Sequence, residues 1–192
     1  IVADTRLALG ALGAGVKHKV NPKSVAVTGS VGKTTVKEMM AAILDRIGNV
    51  LATAGNFNND IGAPLTLLRL TEQHQYAVME LGANHLGEIA YTSSLVKPEV
   101  SIITNVAAAH LEGFGDLFGV ARAKGEIYGS LAKDGVAIVP LDSEFSDYWL
   151  KRLQDKKVLT FSSTQAADFS AEHIVLNEQG CASFDLVCPQ GR

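Results

Sequence analysis

Along the chain, short apolar runs of strand length alternate with longer stretches in which apolar residues recur every three or four positions. That alternation predicts strands and helices taking turns, the pattern of an α/β protein with a mostly parallel sheet flanked by helices. Asp4 and Thr5 can cap a first helix running to about Lys19, which Asn21 and Pro22 end. Residues 25–27 read as a short buried strand. After Gly32, the residues Val36, Met39, Met40, Ile43, Leu44 and Ile47 fall on one helical face, and Gly48 closes that helix. Strands are predicted at 49–53, 76–81, 100–104, 136–139 and 158–161, and helices at 63–70, 88–95, 117–131 and 145–153. From Phe169 the pattern changes to two strand-like runs about a turn at residues 177–180, which predicts a small antiparallel sheet near the C-terminus. The chain divides on this reading into a helix and linker (1–22), an α/β core (23–161) and the small sheet (162–192).

Composition narrows the class. With 47% hydrophobic and 19% charged residues, the chain can build a substantial core. A net charge of −3 gives no reason to expect nucleic acid or an anionic membrane as partner. No apolar run approaches the length of a membrane span, and no signal peptide is visible. Cys181 and Cys188 are seven residues apart and fall on opposite faces of a regular strand, so they are expected to stay reduced, as in a cytoplasmic protein. A first residue that is Ile, and a last stretch without a closing element, read as a piece of a longer polypeptide.

The candidate chemistry gathers where predicted strands end. Polar clusters at residues 28–35, 53–59, 80–85 and 105–110 each follow a strand, the edge at which open α/β sheets bind ligands. Thr28, Gly29, Ser30, Val31, Gly32, Lys33, Thr34 and Thr35 form the strongest signal. Glycines let backbone N–H groups curl around phosphate, and the following helix N-terminus adds partial positive charge. Lys33 would reach the β- and γ-phosphates and Thr34 would coordinate Mg²⁺. Val27 stands where the longer GxxxxGK pattern has its first glycine, so the match is to a shorter TGxxGKTT variant, making this a P-loop-containing fold.

Glu80, at the end of an apolar strand, is either a metal ligand or an ordinary end charge. His110 is either structural or a ligand for metal or phosphate. Lys124 lies on the inward face of its helix, seven residues after Leu117 and four before Tyr128, where an ammonium is costly without a partner. It either reaches the surface, pairs with Glu126 or Glu112, or meets an anion or a chemical modification. Asn56, Asn58 and Asn59 could orient a polar substrate, although turn chemistry alone also favours them. Asn84 and His85 are equally open.

The segments TGSVGKTT, AGNFNNDIGAP, ELGANHLGEIA, NVAAAHLEGFG and ARAKGEIY, in this order between about residues 23 and 142, resemble the ATP-binding central domain of the Mur ligases. Within that family they are most similar to the member type that joins D-alanyl-D-alanine to UDP-N-acetylmuramoyl-tripeptide. The resemblance implies ATP-driven phosphorylation of a carboxylate, followed by attack of an amine on the acyl phosphate, in cytoplasmic peptidoglycan synthesis. It implies Lys33 on the transferring phosphate, Thr34 and Glu80 on one Mg²⁺, and His110 on a second Mg²⁺ with a carbamylated Lys124. Residues 28–35 would hold ATP, with Asn56, Asn58, Asn59, Asn84 and His85 toward the substrates. Family members also carry an N-terminal domain for the uridine nucleotide, a C-terminal domain for the amino substrate and a downstream segment that contacts adenine. The expectation is therefore a monomeric central-domain fragment unable to ligate alone. A folate-polyglutamating ligase, a P-loop regulatory module and a structural domain with a vestigial loop are the other readings.

Overall fold

In the computed structural model, residues 1–108 and 111–191 are described. The helix α1 (Thr5–Val20) opens on Asp4, whose carboxylate accepts the N–H groups of Arg6 and Leu7, and closes on Asn21 in the left-handed conformation. That pairing satisfies donors at one end and acceptors at the other, as capping requires. The chain continues through β1 (Lys23–Thr28), α2 (Lys33–Leu44), β2 (Val50–Ala52), α3 (Gly62–Leu67), β3 (Tyr76–Glu80), α4 (Glu88–Val96) and β4 (Val100–Ile103). It then forms α5 (Leu111–Phe114), α6 (Leu117–Gly125), a 3₁₀ turn (Glu126–Ser130), β5 (Val136–Pro140), α7 (Ser146–Leu150), β6 (Lys157–Ser162), β7 (Phe169–Leu176) and β8 (Ala182–Val187).

The strands form one sheet in the order β2-β3-β1-β4-β5-β6-β7-β8, parallel up to β7 and antiparallel between β7 and β8. The expected C-terminal hairpin is present, and it extends the edge of the main sheet through Phe161 opposite Phe169 and Ser162 opposite Ser170. Cys181 and Cys188 are both free thiols. Among the described residues, no helix is long and apolar enough to cross a membrane.

Strand alternation sorts the interior into two faces. Ala26, Ala77, Met79, Ile103, Ala137 and Val139 join the main core with Leu67, Ile89, Val96, Ile127 and Trp149 from the helical layer. On the other face, α2 packs over β1, β2 and β3. Each fully buried aliphatic side chain contributes about 1.5–3 kcal/mol relative to exposure.

Two helices differ from what their periodicity alone suggests. The apolar arc of α2 does not bury as a whole: Val36, Met40 and Leu44 are half-buried, but Met39, Ile43 and Ile47 are exposed at 63%, 68% and 68%. The arc is wider than the strip of helix that meets the sheet, and the side chain fully buried on that strip is Lys37. The predicted helix 117–131 also changes character after Gly125 and continues as the 3₁₀ turn. Gly125 and Gly129 weaken an α-helix there, and the Glu126 carboxylate is drawn across to the N–H groups of Gly87 (2.7 Å) and Ala90 (3.0 Å) at the start of α4.

Candidate functional site

The loop between β1 and α2 is shaped by two glycines. Gly32 takes a φ of 78° at the entrance to α2, a conformation that disfavours side chains, and Gly29 has a φ of 153° where a Cβ would collide with Thr104. The loop is then pinned from β4. Asn105 accepts the Val31 N–H through Oδ1 (3.0 Å) and donates through Nδ2 to the Val31 carbonyl (3.0 Å). Thr104 Oγ1 donates to the same carbonyl at 2.8 Å, and Ser30 N donates to Asn105 O at 3.1 Å. The N–H groups of Ser30 and Val31 are thus engaged by Asn105 in this state. Lys33 curls back, its ammonium donating to the carbonyls of Gly29 (2.9 Å) and Ser30 (3.3 Å). Thr35 lies exposed in the first turn of α2. Beneath the loop, the Thr28 hydroxyl is buried without a hydrogen-bond partner among the described residues.

Parallel pairing of β1 with β3 puts Glu80 opposite Val27, beside the start of the loop. Glu80 is 2% exposed, yet its carboxylate is satisfied: Thr34 Oγ1 donates to Oε2 and Asn58 Nδ2 to Oε1, both at 2.8 Å. Its backbone N–H donates to Thr53 Oγ1 at 3.0 Å. Among the described residues no group of three or more His, Cys, Asp or Glu could hold a metal ion. The oxygen pair of Glu80 and Thr34 suits Mg²⁺ shared with phosphates and water, the usual way this ion is held, rather than an all-protein cage.

A pocket of about 270 Å³ lies over these groups and is lined by Ser30, Lys33, Asn56, Asn58, Asn84 and Lys124, among others. Lys124 is 3% exposed, with its ammonium 5.7 Å from the centre of the Phe114 ring. Burial, and then the charge of Lys33, push its pKa down to about 8, with Glu126 and Glu88 opposing. Among the described residues Lys124 forms no ion pair with Glu126, Glu112 or Glu88, and it is buried, so it neither reaches the surface nor pairs as the simpler readings required. Glu88 also lines the pocket and accepts the Asn84 N–H at 2.7 Å, with His85 Nδ1 at 3.2 Å. Burial would raise the Glu88 carboxyl, but these hydrogen bonds outweigh it and hold it below its usual range. His85 itself is exposed. Asn59 lines the pocket edge while its Oδ1 accepts the N–H groups of Ile61 (3.2 Å) and Gly62 (2.7 Å), so it also starts α3. His110 lies outside the described residues.

The structure therefore gathers the phosphate loop, Glu80, the asparagine loop, Asn84 and Lys124 at one sheet edge. Sequence reasoning placed Thr53 and Asn105 in polar clusters without giving either a role, and it did not single out Glu88 or Lys37. Asn105 opens the polar cluster 105–110, and Glu88 lies four residues after Asn84, at the first position of α4. Lys37 lies beside Val36, Met40 and Leu44 on the sheet-facing strip, which periodicity alone does not distinguish from the exposed part of the arc.

Comparison with known proteins gives a consistent result. Residues 27–192 match the family model described as the Mur ligase middle domain. A UDP-N-acetylmuramoyl-tripeptide–D-alanyl-D-alanine ligase of Haemophilus influenzae is 53% identical over 195 residues, covering 100% of this chain and 42% of that protein. Among solved structures, MurF from Acinetobacter baumannii superposes with a TM-score of 0.95 at 48% identity, covering 100% of this chain and 42% of that one. MurF ligase from Thermotoga maritima in complex with ADP gives 0.85 at 27% identity, covering 98% and 43%. The chain spans about two fifths of the length of these relatives.

Proposed function

The chain belongs to the Mur ligase family through its middle domain, and from that premise we propose that it is the ATP-binding core of a ligase that adds D-alanyl-D-alanine to UDP-N-acetylmuramoyl-tripeptide. The observation that carries this reading is the meeting of Lys33, the Thr34–Glu80–Asn58 network and Lys124 around one pocket. The curated relative named for that reaction, and the ADP complex of a structural neighbour, support it. In this reading residues 1–22 link to the remainder of the protein, 23–161 bind nucleotide and 162–192 extend the sheet. The complete ligase, acting as a monomer in the cytoplasm, supplies the sites for the two substrates.

Residues 28–35 receive the ATP phosphates. Lys33 leaves the carbonyls of Gly29 and Ser30, and its ammonium follows the γ-phosphoryl group during transfer. Thr34 and Glu80 would hold Mg²⁺, which neutralises charge on the phosphates when bound. A carboxylate oxygen of the tripeptide attacks the γ-phosphorus and the bond to ADP breaks, giving an acyl phosphate. The amine of D-alanyl-D-alanine then attacks the acyl carbon; phosphate leaves and the nitrogen gives up a proton. Asn56, Asn58 and Asn59 offer neutral donors and acceptors for orienting these groups, with Asn84 and His85 at the outer side.

Lys124 fits this chemistry as a carbamate. Near pH 8 a sizeable fraction of it is neutral amine, which can add CO₂ by forming an N–C bond and releasing a proton. The resulting anion lies near the Lys33 ammonium, and with His110 it would hold a second Mg²⁺. Transfer of ¹⁸O from labelled tripeptide carboxylate into released phosphate tests the acyl-phosphate route in the complete ligase. One labelled oxygen per phosphate is expected; unlabelled phosphate would contradict it.

A further inference from the structure

Lys37 is the most buried charged side chain among the described residues, at 1% exposure, and stands one turn beyond Lys33 on α2. It does not line the nucleotide pocket. Its ammonium donates to the Thr53 carbonyl at 2.7 Å and lies 2.5 Å from the carboxylate of Glu38, which is largely exposed. Burying an ammonium is costly, and charge-assisted bonds of this kind are what make it tolerable.

Thr53 is where several strands of the site's geometry meet. Its N–H donates to Val78 O (3.0 Å), its hydroxyl accepts the Glu80 N–H (3.0 Å), and its carbonyl accepts Lys37. The loop that begins at the next residue carries Asn58, which donates to the Glu80 carboxylate through Nδ2 and accepts the Gly82 N–H at 2.8 Å through its carbonyl. Two of the three hydrogen bonds that hold Glu80, the one on its backbone and the one from Asn58 on its carboxylate, therefore hang from the strand end that Lys37 holds against the phosphate-loop helix, while the third comes from Thr34 on that helix itself.

We propose that Lys37 is a positioning residue for metal-dependent nucleotide binding, acting through Thr53 on Glu80 and the asparagine loop. The inference rests on the reading of Glu80 and Thr34 as the Mg²⁺ pair. It separates Lys37 from a lysine that merely fills space: a space-filling role predicts lower stability, and a positioning role predicts a changed response to Mg²⁺.

Lys37→Met keeps most of the side-chain length and removes the donor. Two readouts apply: hydrogen exchange of residues 54–59 with neither nucleotide nor metal present, and binding of a fluorescent ATP analogue across a Mg²⁺ titration. The expected result is exchange faster by about tenfold and a Mg²⁺ midpoint raised by about tenfold, the size expected for losing one hydrogen bond to a charged group. Affinity without metal stays unchanged. Unchanged exchange with an unchanged midpoint, or an equal loss of affinity with and without Mg²⁺, would overturn the proposal. If Lys37→Met does not fold, Thr53→Val carries the test, since it removes the acceptor of the Glu80 N–H and leaves the Lys37 bond to the Thr53 carbonyl; the same midpoint shift is expected, and its absence overturns the relay. A wild-type protein whose nucleotide binding ignores Mg²⁺ would instead overturn the underlying reading, and this inference with it.

Discussion

The Thr34 hydroxyl donates to Glu80 Oε2 at 2.8 Å, joining the first turn of the phosphate-loop helix to the end of the adjacent strand β3. Because β1 and β3 run parallel with Val27 opposite Glu80, this contact is a consequence of sheet register. It leaves one hydroxyl and one carboxylate side by side at the mouth of the loop, where the proposed function would require phosphate charge to be neutralised.

Glu80→Gln keeps the shape of this contact and removes its charge. The Mg²⁺-dependent part of ATP affinity is expected to fall by about tenfold or more, because one carboxylate is a large share of a Mg²⁺ site that otherwise relies on phosphates and water. The melting temperature should hold or rise, since a buried charge is lost without a change in volume. Titration at several Mg²⁺ concentrations, with a thermal melt alongside, reads both.

Asn105→Ala acts differently. The two bonds from Asn105 to the Val31 peptide fix the loop tip, which is exposed, so freeing it leaves nothing buried and unpaired. Stability should change by less than about 1 kcal/mol. ATP affinity should fall by about three- to tenfold, and by the same factor with and without Mg²⁺, since the loop loses preorganisation rather than a metal ligand. Isothermal titration under the two conditions separates this variant from Glu80→Gln.

Lys124 should react as an amine with a midpoint near pH 8, where an ordinary lysine titrates near 10.5. Competitive acetylation followed by mass spectrometry across pH 6–11 measures this. The sign for stability follows from the same shift. The unfolded chain holds this proton up to about 10.5 and the folded chain only to about 8, so the penalty of burying the charge is fully present below pH 8. It is relieved as pH rises from 8 toward 10.5, and this group's contribution to stability increases over that window. With ¹³C-bicarbonate, a carbamate resonance is expected that Lys124→Ala abolishes.

Trp149→Ala is expected to cost about 3–5 kcal/mol in urea denaturation. The indole is 1% exposed, donates to Ala121 O at 3.0 Å and lies against Gly125, so it supports the helix that presents Lys124.

Much of this was legible from the residues. Apolar runs separated by turn chemistry mark every strand, and the glycines, Lys33 and Thr34 mark the loop between β1 and α2 as a phosphate-loop candidate. The inward position of Lys124 followed from helical spacing alone. The exposure of α2 was not legible: periodicity shows that Val36, Met39, Met40, Ile43, Leu44 and Ile47 share an arc, but not which half of it a neighbouring sheet covers. Lys37 was hidden by the same gap, because its meaning depends on the Thr53 carbonyl sixteen residues away. Asn105 likewise acts on Val31 across 74 residues, through a strand order of β1 beside β4 that no local pattern carries.

The central claim is that the pocket binds ATP through Lys33 with Mg²⁺ held at Thr34 and Glu80. Calorimetric titration of the protein and its Lys33→Ala variant with ATP, each with and without Mg²⁺, tests it most directly. Saturable binding that Mg²⁺ strengthens and that Lys33→Ala abolishes is the predicted result. Binding that is absent, or that neither Mg²⁺ nor Lys33→Ala alters, would contradict it.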